Sequence, residues 1–404
     1  MTPLLSGIRV VDITSIVLGP FAGQVLADLG AEVIKVEPLE GELARSVHPV
    51  SPDGMSAMFA NNNRNKKSLA LNLKSESGKA VLRRLVASAN VLLHNMRVDA
   101  ITRLGFGFEA VKAINPRIIY CSAIGFGQDG PYRDRPAYDD VIQAASGLAM
   151  LPAHVGGTPA YVPSVVADKV AALYAVYGVL AAVSAQARGL IEAVDVEVPM
   201  FESLVGFLLN EHLAAASFAP EPKGAGYHRL FSPDRKPYRT KDGWVAALPY
   251  TGDQWRRLLH EIGRQDVAAE PWFQDAGERS RRVGELYAVL GAAVVERSTA
   301  DWLEAFARLD IPYSKVNDLD DLLTDPHLAA VGFFAPGPQA AAGATRALRQ
   351  PVVFRGAETV PDRPAVRIGA DTRAVLDGLG YSAAEITALQ DEGAVGRARE
   401  TDHV

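Results

Sequence analysis

One carboxylate in this 404-residue chain stands where it could do chemistry. Asp168 opens a long apolar run, and from Val170 to Ala187 no charged residue follows it. An acid at the start of a helix ordinarily caps it or answers its dipole. The same acid, held out of bulk water, can instead attack an activated acyl carbon such as that of a thioester. Two basic stretches are the second feature. NNNRNKKS (61–68) concentrates Arg64, Lys66 and Lys67, and NMRVDAITRLGF (95–106), read as a loop after a strand, adds Arg97 and Arg103. Each alone is a solvated turn; both at one sheet edge would make a phosphate or adenine site. Tyr138, Asp139 and Asp140 open another helix, where the two acids suit the N-terminus. Glu202, Glu211 and His212 lie on a helical stretch without metal-ligand spacing.

The elements that must position these residues alternate. GIRVVDIT (7–14) reads as a buried strand, GPFAGQVLADL (19–29) as a helix with Pro20 in its first turn, and AEVIKVE (31–37) as a second strand. Strands at 67–73, 90–95 and 117–126 follow, with a helix at 75–89 and two apolar helices at 138–150 and 165–187. An extended segment at 191–199 comes next. This order predicts an α/β fold, with an open, Rossmann-like parallel sheet in the larger domain. Glu37 sits where a dinucleotide-binding acid would, but SIVLGPFAG after the first strand lacks the G-x-G-x-x-G pattern, so a nicotinamide cofactor is not expected.

Length and composition bound the rest. A chain of 404 residues predicts two domains. The larger is expected to span 1–215 and to be completed by a returning segment, 350–404. A smaller α+β domain is expected at 243–334, with linkers at 216–242 and 335–349. Within the smaller domain, helices are expected near 251–262, 280–297 and 299–309, between extended stretches at 243–250 and 311–317. QPVVFRG (350–356) reads as strand-like and 382–392 as a terminal helix. A net charge of −6 excludes nucleic acid and anionic membrane as main partners, so any anionic ligand must meet a local basic cluster. Cys121 is the sole cysteine, which excludes a disulfide framework and a cysteine metal site. The stretch MTPLLSGIRVVD shows no signal-peptide pattern, and the Ala-rich run at 170–187 reads as a buried core helix, so a cytoplasmic compartment is expected.

Taken in order, several blocks of the sequence closely resemble the family III CoA-transferases, the group that includes formyl-CoA transferase and the carnitine CoA-transferases. They are LSGIRVVDITSIVLGPFAGQVLADLGAEVIKVEP, NRNKKSLALNLKSESGK, IYCSAIGFGQDGPYRDRPAYDDVIQAASGL, YVPSVVADKVAALYAVYGVLAAV, VDVEVPMFESLVGFLLNEHL and IPYSKVNDLDDLLTDPHLAAVGFF. The resemblance implies that Asp168 is the aspartate acylated during catalysis. It also implies that Val17, Leu18, Leu71, Asn72, Leu73, Lys74, Asn95 and Arg103 contact CoA. Tyr138 falls on an active-site tyrosine, and Arg45 and Arg97 on positions that suit phosphate partners. It further implies an interlocked homodimer, an acyl-CoA and a free carboxylic acid as substrates, and no cofactor beyond CoA itself.

The departures bear on substrate. Val17 stands where formyl-CoA transferase has a glutamine, Pro38 where it has an arginine, and Pro136 where it has a lysine; KGAGYHR is only a faint counterpart of its glycine run. A larger or more apolar acyl group than formyl is therefore expected, dicarboxylic or aromatic. The α-methylacyl-CoA racemases share the fold and use a histidine–aspartate pair, with the histidine falling on Tyr138. Phenols ordinarily ionise near pH ~10 and serve poorly as near-neutral bases, so transfer ranks above racemisation. A non-catalytic acyl-CoA-binding protein is a third reading, one with no need of an acid at 168.

Overall fold

The computed structural model describes residues 2–52, 54–218, 224–336, 346–358, 360 and 363–397. Its contacts divide the chain into two compact units, one of residues 1–149, 161–207 and 329–404, the other of residues 150–160 and 208–328.

The first unit is built on six strands: β1 (Arg9–Asp12), β2 (Glu32–Glu37), β3 (Lys66–Ala70), β4 (Val91–His94), β5 (Ile119–Ile124) and β6 (Val194–Pro199). All pair in parallel, in the order β3-β2-β1-β4-β5-β6. Val- and Ile-rich runs such as RVVD and EVIKVE suit strands covered on both faces, whereas VDVEVP alternates in exposure, as an edge strand does. One face packs Val81, Leu82, Leu85 and Val86 of the Glu76–Ala87 helix with Val375, Leu376 and Ile386 of the returning segment. The Leu18–Asp28 helix packs against Val166–Ala187, which also lies on β5 and β6. The returning segment closes the β3 edge: Ser68 N–H donates to Asp371 Oδ2 (2.9 Å) and Asn72 N–H to the Ala394 carbonyl (2.9 Å). Strand order reverses between β1 and β4, and such a reversal opens a crevice at the carboxyl ends of the strands.

In the second unit, Tyr238–Arg239, Trp244–Ala247 and Tyr313–Lys315 form a small antiparallel sheet. Trp255, Phe273, Tyr287, Trp302 and Phe306 fill its core. Thr251 and Ser298 begin the helices Gly252–Glu261 and Thr299–Arg308 with reciprocal capping boxes.

Several expectations change. The 95–106 stretch is not a loop: Val98–Leu104 is a helix, ended by Gly105 in the left-handed conformation (φ 93°) that glycine adopts without strain. A helix, Ala57–Asn63, occupies the first part of NNNRNKKS. The expected 280–297 helix breaks at Arg282 into Ala276–Arg281 and Val283–Val294. Residues 350–356 form no strand, and Val352, Val353 and Phe354 in this stretch are exposed. Of the expected linkers, residues 219–223 and 337–345 lie outside the described residues. The described part of 216–242 groups with the second unit, where it supplies the Tyr238–Arg239 strand.

Candidate active site

The loop after β1 is fixed from below by buried charge. Lys66 Nζ donates to Asp12 Oδ2, the Pro20 carbonyl and Asn63 Oδ1, each at 2.8 Å. Asp12 Oδ1 accepts from Thr14 N–H (2.9 Å) and the Thr14 hydroxyl (2.5 Å). Lys35 Nζ donates to the Thr14 carbonyl (2.8 Å) and lies 2.9 Å from Glu42 Oε1. Burial alone would raise the Asp12 carboxyl, but Lys66 and Lys35 hold it below the usual range. Burial also pushes Lys66 down to about 8, against the pull of Asp12. Gly23 makes room for the pair, since a Cβ there would sit 2.8 Å from Asp12 Oδ2.

Above this network Ile16 takes φ 71°, a strained conformation for a β-branched residue. Its N–H donates to Glu42 Oε2 (2.6 Å), and the Asn95 amide clamps the preceding residue on both sides, accepting from Ser15 N–H (3.0 Å) and donating to the Ser15 carbonyl (2.8 Å). Asn95 follows β4, so this clamp ties together the two loops that flank the strand-order reversal. Val17 and Leu18 are thereby set into the wall of a cleft of about 250 Å3. Asn95, Met96, Arg97 and Val98 come from the β4 loop, and Gly125, Gln128, Arg133, Arg135 and Tyr138 from the β5 loop. The β5 loop is held by two acids: Gly127 N–H donates to Glu202 Oε1 and Gln128 N–H to Glu197 Oε1, both at 3.0 Å.

Asp168 faces the same cleft from the first turn of Val166–Ala187. Its carboxylate makes no hydrogen bond or ion pair among the described residues. Asp139 does the capping instead: Asp139 Oδ1 accepts from Asp168 N–H (3.0 Å), and Asp139 Oδ2 accepts from the buried Gln143 amide (2.6 Å). Gln143 also accepts from Val162 N–H (2.9 Å) and donates to the Ser164 carbonyl (3.1 Å), fixing the approach to the helix. Burial, then the nearby Asp139 charge, push the Asp168 carboxyl up to about 7, with Lys169 opposing.

This electrostatic arrangement makes a test. The nucleophilic form is the carboxylate, so kcat/KM is expected to fall as pH drops through about 7, tenfold per unit well below it. Asp139→Asn removes a like charge and should move this acid limb to lower pH. Lys169→Met removes the opposing cation and should move it to higher pH. A limb that stays fixed in both variants would belong to another group.

Of the expected site residues, Val17, Leu18, Asn95, Arg97, Tyr138 and Asp168 meet in this cleft, and Arg45, Leu71, Asn72, Leu73, Lys74 and Arg103 do not line it. Leu71 is core and Leu73 packs against the core. Asn72 braces the turn, donating to the Gly393 carbonyl (3.2 Å) and accepting from Lys74 N–H (3.1 Å); Lys74 is exposed. Arg103 is exposed in the last turn of Val98–Leu104. Arg45 is bound twice by Glu37 (2.7 Å each), donates to the Val366 carbonyl (3.1 Å) and stacks on Phe59. The basic reading of 61–68 is corrected: Arg64 pairs with Asp28, Lys66 with Asp12 and Lys67 with Glu32. His212 lies 3.5 Å from Glu211, and no group of metal-ligating side chains occurs among the described residues. Arg133, Arg135 and Asp139 were missed as site residues, although RDRPAYDD placed all three within six residues of Tyr138.

The sequence model for CoA-transferase family III matches residues 5–372, and the chain belongs to that family. It is 30% identical to the succinate–glutarate CoA-transferase of Agrobacterium fabrum, over 93% of this chain and 95% of that one. It is 28% identical to the (R)-2-hydroxy-4-methylpentanoate CoA-transferase of Clostridioides difficile, over 97% and 99% of the two chains. The crystal structure of a CAIB/BAIF family protein from Brucella suis superposes with a TM-score of 0.80 at 29% identity, covering 94% of this chain and 99% of the other.

Proposed function

We propose that this enzyme moves CoA from an acyl-CoA to a free carboxylic acid through covalent intermediates on Asp168. The observation that carries the reading is the Asp168 carboxylate, unbonded in the cleft while Asp139 caps its helix. Its oxygen attacks the thioester carbonyl, the C–S bond breaks, and CoA thiolate leaves a mixed anhydride. The thiolate attacks the aspartyl carbonyl, freeing the first acid and forming an aspartyl-CoA thioester. The incoming carboxylate attacks that thioester, giving a second anhydride and thiolate. Thiolate attack on the new acyl carbon forms the product and restores Asp168. Each step exchanges one activated acyl group for another, so no cofactor beyond CoA is required. The uncharged helix behind Asp168 supports water exclusion.

Racemisation needs a second group that ionises near neutrality, and no histidine or lysine is among the described residues lining the cleft. A panel of CoA thioesters mixed with free acids, scored for new thioesters by mass, tests the reading. Transfer without net hydrolysis is expected; epimerisation of an α-methyl thioester with no acid present would replace the reading with racemisation.

The enzyme works as an interlocked homodimer in this proposal. Val166–Ala187, expected to be a buried core helix, has 33% of its most apolar window covered within the single chain, with Leu173 and Tyr177 more than half exposed. Phe207 is exposed as well. A second copy covering these side chains accounts for them. Sedimentation as a folded monomer at low concentration would remove the dimer.

A further inference from the structure

Among the described residues lining the cleft are three arginines, Arg97, Arg133 and Arg135, against a single acid, Asp168, in a chain whose net charge is −6. The arginines come from different loops. Arg97 follows β4, on the side of the sheet that leads through β1 and β2 to β3, after which comes Lys74. Arg133 and Arg135 follow β5, in the loop that also carries Tyr138 and Asp139, and Asp139 bonds the backbone of Asp168. The helix bearing Asp168 packs on β5 and β6. Four strand spacings, roughly 19 Å, separate β3 from β5. A long anionic cofactor can therefore lie toward Arg97 and Lys74, while the acyl carbon must sit beside Asp168.

The two β5-loop arginines are presented for binding. Arg135 stacks its guanidinium on the Tyr132 ring, 3.8 Å from the centroid, which holds it in place and leaves its N–H edge to donate to an anion. Tyr132 is itself packed against Phe126 and Phe201. Among the described residues the Arg133 side chain pairs only with Asp134, at 3.4 Å in a largely exposed pair that costs little to exchange. Its backbone is braced by the Gln128 amide, which donates to the Phe126 carbonyl (3.1 Å) and the Arg133 carbonyl (3.5 Å). Each guanidinium has an N–H edge that can hold a carboxylate through two parallel N–H···O bonds.

We propose that Arg133 and Arg135 bind the far carboxylate of a dicarboxylic acyl group, so that the enzyme's donor and acceptor are short dicarboxylates and their CoA monothioesters. The inference rests on the transfer reading above and adds the substrate class to it.

The test compares succinate and glutarate with butyrate and pentanoate as acceptors, using one acyl-CoA donor. Wild type should prefer the diacids. In Arg133→Gln and Arg135→Gln, the ratio of kcat/KM for diacid over monoacid should fall by roughly 10- to 100-fold, with Arg135→Lys recovering part of it. The ratio is unaffected by a general loss of folded protein. A ratio unchanged in both variants overturns the assignment, as does a fall in the ratio produced by Arg97→Gln and not by the pair. Wild type incubated with acyl-CoA and hydroxylamine separates the two levels. A hydroxamate at Asp168 without a diacid preference refutes only the arginine pair, whereas its absence with every thioester refutes the transfer reading.

Discussion

Asp168→Asn is expected to abolish CoA transfer, by on the order of 10^4-fold or more in kcat, because no other carboxylate is among the described residues lining the cleft. The same substitution should stabilise the protein at alkaline pH. In the folded state burial and then Asp139 push this carboxyl up to about 7, so the folded protein holds the proton more tightly than the unfolded chain. Stability linked to that proton is present at low pH and lost as pH rises through about 7. Asparagine carries no such penalty. At pH 8 the variant should gain on the order of 1–3 kcal/mol after allowance for solvent screening, and below pH 4 the gain should vanish. A capping acid would show no such gain, since asparagine caps about as well as aspartate and only replacement by alanine would cost about 0.5–2 kcal/mol. Thermal unfolding at the two pH values, beside a transfer assay, therefore distinguishes a nucleophile from a cap.

The second large effect lies under the cleft. Asp12→Ala should cost about 3–5 kcal/mol, because it leaves Lys66 and Lys35 buried without their shared carboxylate. For a domain of this size that is a fall in Tm of roughly 6–20 °C. Thr14 loses both of its bonds to Asp12 in the variant, so the strained loop at Ile16 loses an anchor as well. Activity should then fall beyond what the unfolded fraction explains. Replacing the pair together, Asp12→Leu with Lys66→Met, should recover much of the stability, as apolar substitution of buried ion pairs often does. Calorimetry of the single and double variants checks this; a single variant as stable as wild type would mean that the network holds no strain-bearing load.

The parallel sheet was legible because strands such as RVVD, VLLH and IYCSAI are near-continuous apolar runs and the first helix carries Pro20 in its first turn and stops before Gly30. Asp168 was legible for a related reason: an acid beside a long uncharged run stands out. The partners of charged residues were not. Lys66 looks like surface charge in NNNRNKKS, and its carboxylate lies 54 residues earlier, on a strand that only folding brings beside it. Asp139 could be read as favouring its own helix, but its bond to Asp168 N–H spans 29 residues. Arg45 matched a phosphate-binding position, yet Glu37 and Phe59 engage its guanidinium. The helix Val98–Leu104 was hidden in a stretch too short to show a period, and Gly105 was its only clear stop signal.

The most direct test of the account is chemical capture at one side chain. Wild-type enzyme incubated with acyl-CoA and hydroxylamine, then digested, should yield the Asp168 peptide as its hydroxamate, formed by attack on the aspartyl-CoA thioester. The modification should depend on the thioester and be absent in Asp168→Asn. Transfer that proceeds at the full rate with Asp168 unmodified, or with the hydroxamate on a different residue, would contradict it.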